Sequence, residues 1–203
     1  YHLYEHGLGF EDADYDYANL RRSSDYIARH GPATQQERWE ENSGYSPSTL
    51  ASNVAALICT ADFARARGRE ETAVFLEAYA DFLESHIIPW TVTRQGTLVP
   101  EISRHFIRIL PTAIDDPSPL EDPDAAFITL ANSPPGVEHR FPAKEIVDAG
   151  FLELVRYGVL KPDDPLVEDS LRVIDAVLKV ETPFGPCWRR YNHDGYGQGV
   201  DGG

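Results

Sequence analysis

"SPSTLASNVAALICTADFARARGREETAVFLEAYADFLESHIIP", residues 46–89, carries two helical periods separated by a glycine. Ser46 has the side chain of an N-cap, and Pro47 stands at the first helical position, where a missing N–H costs nothing. Leu50, Val54, Leu57, Ile58 and Ala61 then form an apolar stripe at helical spacing until Gly68 stops it. A second helix is predicted from about Glu70 to His86, with Val74, Phe75, Ala78 and Phe82 inward and Pro89 beyond its end. Two helices joined by so short a turn read as an antiparallel hairpin.

Outward from this unit the pattern repeats in kind, although no internal sequence repeat is visible. Upstream, a helix from about Asp14 to His30 places Tyr17, Leu20, Ser24 and Ile27 on one face, and Gly31-Pro32 ends it. Downstream, helices are predicted from about Ala143 to Tyr157, closed by Gly158, and from about Leu166 to Val180, closed by Pro183. The main exception is "TLVPEISRHFIRIL", 97–110, which predicts a strand or two. Residues 111–142 are rich in prolines and acids with no period, and read as a long excursion loop of the kind that carries function. The fold class that follows is all-α, built from helical hairpins.

Composition narrows the function classes. The 203 residues are 42% hydrophobic and 25% charged, enough for one sizeable core in an ordinary globular protein. A net charge of -15 opposes binding to nucleic acid or anionic membranes through bulk charge, but does not repel a neutral polyol such as a sugar. No apolar stretch is long enough to span a bilayer, and no basic-then-apolar leader opens the chain. Two cysteines, Cys59 and Cys187, make no disulfide framework, and Cys59 reads as a small buried hydrophobe. The chain opens on "YHLYEHG", contains no Met and stops at "GYGQGVDGG", so both ends read as cuts through a longer protein.

Two clusters could do chemistry. "QERWEENSGYSPSTL", 36–50, sets Trp39 beside Glu40 and Glu41, with Glu37 just upstream, in the gap between two helices. An acid beside an indole loses solvation, which favours its protonated form, and a neighbouring carboxylate adds to that effect. A protonated acid is what the cleavage of a glycosidic bond needs, and an aromatic face suits a sugar ring. Spacing alone favours the plainer alternative, a solvated acidic loop with a half-buried Trp. In "CWRRYNHDGYGQ", 187–198, Trp188, Arg189, Arg190, Tyr191, Asn192, His193 and Asp194 could hold several hydroxyls at fixed geometry. A turn-rich surface loop with an Arg–Asp pair fits that segment equally well.

The remaining candidates are weaker. Arg104, His105 and Arg108 stand in "PEISRHFIRI", where a strand-borne His satisfied by backbone is the simpler reading. The acids of "DDPSPLEDPD", 115–124, are a possible Ca²⁺ site without the spacing of an EF-hand, and a solvated loop is the better reading. No Gly-rich phosphate loop, CxxC, HExxH or GxSxG occurs, so phosphoryl transfer, zinc hydrolysis and serine hydrolysis have no support.

With both clusters quoted, a family resemblance becomes specific. "RHGPATQQERWEENSGYSPSTLA", 29–51, resembles the region around the general acid of bacterial glucoamylases and glucodextranases, in family 15 of the glycoside hydrolases. "FPAKEIVDAGFLELVRYGV", 141–159, and "WRRYNHDGYG", 188–197, resemble a helix and a substrate-binding segment further along the same family. The three matches are collinear and span most of the chain. The resemblance implies an (α/α)6 barrel, six helical hairpins around a pocket that admits the non-reducing end of an α-glucan.

Carried over, Glu40 becomes the general acid, and Trp39 and Glu41 line the innermost sugar subsites. Arg190 is expected to hydrogen-bond the terminal glucose, with Arg189 as the alternative and Trp188 in the same binding segment. No cofactor is required. The family also suggests export to the periplasm or the medium, with the cytoplasm as the alternative, and the residues themselves do not address this. Departures matter too. An early pocket segment with a Trp and an Arg-Asp pair is expected before Tyr1. The general base, a Glu in a Pro-Glu-Gln type motif after a Trp-Pro-Leu-Leu type stretch, does not occur before Gly203. Residues 1–203 are therefore expected to form the central part of one catalytic domain, about three to four of its six hairpins, with the remainder of the barrel as a necessary partner. A trehalase of the same family and a non-catalytic carbohydrate-binding toroid are the competing expectations.

Overall fold

The computed structural model describes residue 6, residues 13–133 and residues 136–196. Helix α1 (Ala13–His30) is followed by the short strand β1 (Gly44–Tyr45), then α2 (Pro47–Arg65) and α3 (Glu70–Thr91). Strands β2 (Val92–Thr93), β3 (His105–Phe106), β4 (Leu110–Pro111), β5 (Phe127–Thr129) and β6 (Arg140–Pro142) come next. Two 3₁₀ turns (Ala143–Glu145 and Ala149–Phe151) lead into α4 (Leu152–Arg156) and α5 (Pro165–Leu178). The hairpin β7 (Lys179–Thr182) and β8 (Gly185–Trp188) follows. The strands pair in four antiparallel couples, β1 with β4, β2 with β3, β5 with β6 and β7 with β8. Among the described residues, no helix is long and apolar enough to cross a membrane.

The predicted hairpin is the centre of the fold: α2 packs chiefly against α3, and α1 and α4 pack on α2. Ser46 caps α2 with extended backbone, and its hydroxyl pairs with Ser48 rather than with a helix N–H. Gly68 takes a left-handed φ of +67° in the turn, where its N–H bonds Arg65 and that of Arg69 reaches Ala64. That geometry closes the helix in the way glycine allows without strain. Leu50, Ala51, Val54, Leu57, Ala61 and Ala64 are buried on α2. Between α1 and α2 the buried Ser24 hydroxyl donates to Thr60 at 3.0 Å.

Three expectations need correction. The buried face of α3 is Ala73, Leu76, Ala80, Leu83, Ile87 and Trp90, whereas Val74, Phe75, Ala78 and Phe82 face outward. Both faces carry apolar residues, and close approach of two helices selects the face with small alanines rather than the bulkier one. Helix α3 also runs through Pro89 to Thr91. Burial of Trp90, with the Val92 N–H bonding Ile88, carries the last turn past the ring. Finally, 143–157 is not one helix. Asp148 has extended backbone and caps the second 3₁₀ turn through the Gly150 N–H, which splits the run. Residues 97–110 hold the anticipated strands, and the long 111–142 segment contains the β5–β6 hairpin.

A main core lies between the helices, and a smaller one of Ile109, Ile128, Leu130, Ile146 and Tyr191 lies against Trp39 and Phe141. That second core is the base on which the two sequence clusters meet.

Candidate active site

The loop between α1 and α2 is pinned at both ends. Thr34 and Gly44 exchange backbone hydrogen bonds of 2.8 and 2.9 Å. Gly44, at φ +146°, lies so close to β4 that a Cβ there would meet the Leu110 carbonyl oxygen at 2.1 Å. Within the loop the Glu40 N–H bonds the Glu37 carbonyl at 2.8 Å, and Glu40 takes a left-handed φ of +60°. A non-glycine residue held there is a strained position of the kind that clusters at functional sites.

The three acids have three different surroundings. Glu37 is buried, and its carboxylate accepts from Arg108 Nη2 at 2.5 Å and from the Trp39 backbone N–H at 2.8 Å. Glu41 accepts from Tyr191 OH at 2.6 Å, Arg108 Nη2 at 3.0 Å, Arg190 Nη2 at 3.3 Å and the Asn132 amide. Glu40 is exposed, and among the described residues its carboxylate has no hydrogen-bond or ion-pair partner. Two acids are thus committed to holding the loop, and the one between them is left open.

Arg108 is the hub beneath them. It is fully buried, bridges Glu37 and Glu41, and lies 3.8 Å over the Tyr191 ring. Burial pushes the Tyr191 phenol above its ordinary range, and the hydrogen bond it donates to Glu41 adds to this, so it stays a donor at neutral pH. Arg190 forks onto Asp194 through two 2.7 Å bonds. Burial would raise the Asp194 carboxyl, but that fork outweighs it and holds the carboxyl below its usual value. The guanidinium of Arg190 also lies 5.4 Å from the Trp39 ring and 4.5 Å from that of Tyr196.

The segment 145–148 stitches the parts together. Ile146 accepts from the Arg108 N–H at 2.8 Å, Val147 donates to Asn192 Oδ1 at 2.9 Å, and Asp148 forms an antiparallel bridge with Tyr191. The Asp148 carboxylate accepts the Trp39 indole N–H at 2.8 Å. The outcome is an open cleft of about 580 Å³ lined by Arg38, Trp39, Glu40, Glu41, Ala131, Asn132, Arg190 and Tyr196. A second concavity of about 420 Å³ lies beyond Arg38, walled by Thr34, Ser48, Glu153 and Tyr157, and holds none of Trp39, Glu40, Glu41 or Arg190.

Of the residues singled out in the sequence, Trp39, Glu40, Glu41 and Arg190 therefore meet in one cleft. Trp188 and Arg189 do not reach it. Trp188 is half exposed on β8 and donates its indole N–H to Asp175 of α5 at 2.8 Å, and Arg189 is exposed beside it. Gly197 and Gln198 lie outside the described residues. His105 is buried with Nδ1 3.0 Å from the Phe106 carbonyl, as a strand histidine served by backbone. Among the described residues no group of three His, Cys, Asp or Glu is placed to hold a metal. The sequence reading missed Asp148, Asn132 and the bridging role of Arg108. Their partners lie dozens of residues away, and only the preference of a buried charge for a partner hints at them.

The helix-rich fold thus gathers acids, arginines and an indole around one open cleft. Residues 3–203 match the family model Glycosyl hydrolases family 15. A glucoamylase from Clostridium sp. (strain G0005) is 47% identical over 176 residues, 86% of this chain and 23% of that relative. A crystal structure of bacterial glucoamylase complexed with acarbose matches with a TM-score of 0.76 at 43% identity, covering 88% of this chain and 24% of that one. The chain belongs to family 15 of the glycosyl hydrolases and spans about a quarter of the length of these relatives.

Proposed function

We propose that the protein carrying this chain hydrolyses α-glucosidic bonds at the non-reducing ends of glucans, releasing glucose with inversion, and that Glu40 is its general acid. The observation that carries this reading is the division of labour in the Glu40–Glu41 pair. Glu41 is saturated with donors, so it can orient hydroxyl-binding groups but has no free lone pair with which to act. Glu40 lines the same cleft as Trp39 and Arg190, with its carboxyl open, and the Arg190 guanidinium lies 5.4 Å from the Trp39 ring. A sugar ring stacked on the indole and held by Arg190 would present its glycosidic oxygen to that carboxyl. The ring would also displace water from around that carboxyl.

Inversion requires a second carboxylate on the opposite face, separated by about 6.5–9.5 Å to leave room for the attacking water. The family's motif for that base is absent from these 203 residues, so the reading places it elsewhere in the barrel, and residues 1–203 form the central part of one catalytic domain. Acarbose in the related structure supports an oligosaccharide as substrate. In the full-length protein, Glu40→Gln should lower kcat on maltose or starch oligosaccharides by about 10²–10⁴-fold with KM little changed. Wild-type turnover by that variant removes Glu40 from the role. Comparing glucose release from maltose, isomaltose, dextran and trehalose tests the substrate class, and a preference for trehalose would overturn the glucan assignment.

A further inference from the structure

Asp148 takes no part in the proposed proton transfer, although it is a buried carboxylate 97% removed from solvent beside the cleft. One oxygen accepts the Gly150 N–H at 2.8 Å, the ordinary work of a helix cap. The other accepts the Trp39 indole N–H at 2.8 Å across 109 residues of sequence, which a cap does not require. The backbone of Asp148 is bridged to Tyr191, the residue that donates to Glu41. Gly150 leaves the space this needs, since a Cβ there would come within 2.9 Å of the Asp148 carboxylate. One residue therefore ties the indole wall of the cleft to the element that holds Glu41.

We propose that Asp148 is a positioning residue, which fixes the Trp39 ring as the sugar-stacking wall and so sets the approach of the substrate to Glu40. The proposal rests on the glucan-hydrolase reading for its effect on turnover, but the clamp itself is a matter of geometry. A freed indole can rotate about its side-chain torsions, and a misplacement of about 1 Å in a positioning group can cost on the order of 10² in rate.

The charges facing Asp148 are Glu37 and Arg38, both on the Trp39 loop; its hydrogen-bond donors are Trp39 and Gly150. Burial pushes its carboxyl up to about 6, with Arg38 opposing the shift and Glu37 adding to it. At neutral pH both oxygens are acceptors. Below about pH 6 one oxygen carries a proton, and the bond to the indole weakens.

The test uses the full-length protein labelled with ¹⁵N-tryptophan, with the variants Asp148→Asn, Trp39→Phe and the double variant. Asp148→Asn sets an amide donor against one of the two N–H groups, and Trp39→Phe keeps a ring but removes the N–H. The Trp39 indole N–H resonance is expected to titrate with a midpoint near 6 in the wild type and not in Asp148→Asn. On maltose each single variant should lose about 10–100-fold in kcat/KM, and the double variant should lose no more than the worse single. Multiplicative losses, or an indole resonance that ignores pH, overturn the proposal. If Asp148→Asn does not fold, full kcat/KM in Trp39→Phe overturns it equally. A titrating indole in a wild type that hydrolyses no glucan supports the clamp and overturns the functional reading.

Discussion

Glu37, Glu40 and Glu41 lie within five residues, and their fates are set by what each reaches. Arg108 neutralises the outer two from below, and the loop backbone turns the middle one out at a left-handed φ. Removing the arginine while keeping its volume, as in Arg108→Met, leaves the buried Glu37 carboxylate without a cation and Glu41 with Arg190 alone. The expected cost is about 3–5 kcal/mol, read from urea unfolding, and a loss below about 1 kcal/mol would show that water compensates them instead. Asp148 adds a dependence on pH. Its carboxyl rises from an ordinary value near 3.8 to about 6, so the folded state binds that proton more tightly than the unfolded chain. Stability from this group is present below about pH 4 and is lost as pH rises through about 6. A displacement of that size corresponds to about 3 kcal/mol. Relative to the wild type, Asp148→Asn should gain about 2–3 kcal/mol between pH 4 and 7, and a difference that stays flat with pH would contradict this.

At the scale of elements, α3 shows how a helix with apolar residues all round chooses its buried face. Ala73, Leu76, Ala80, Leu83 and Ile87 are buried, and Val74, Phe75 and Phe82 are exposed. Leu83→Ala should therefore cost about 2–5 kcal/mol, while Val74→Ala on the outer face should cost under about 1 kcal/mol. Thermal unfolding of the two variants side by side checks the assignment, and equal losses would mean that the outer face is buried after all. The helices α1 and α2 were legible because Gly31-Pro32, Pro47 and Gly68 bound their stripes, although Ile58, expected in the α2 stripe, is 39% exposed. The 143–157 segment was not, because its break depends on the Asp148 side chain turning back to Gly150 and across to Trp39. β3 is held by a contact equally invisible in sequence, the Phe106 N–H donating to the buried Ser170 hydroxyl of α5 at 3.0 Å.

For the whole molecule, the proposed mechanism pairs an acid from this chain with a base from another part of the barrel. The purified 203-residue chain should release negligible glucose from maltose, whereas the full-length protein should release it readily, since a missing base forfeits about 10²–10⁴ in rate. Full turnover by the chain alone would place a base among these residues. By itself the sequence determined the helical hairpin, the family and the two segments that meet at the cleft. Caps, periodicity and motif strings are local, and local chemistry is written in order along a chain. Only the tertiary structure decided which neighbouring acid is bound and which is open, and why Arg190 reaches the cleft while Trp188 turns to Asp175. Those outcomes depend on which donor arrives from far along the chain, because a carboxylate is defined chemically by its partners in space rather than by its neighbours in sequence.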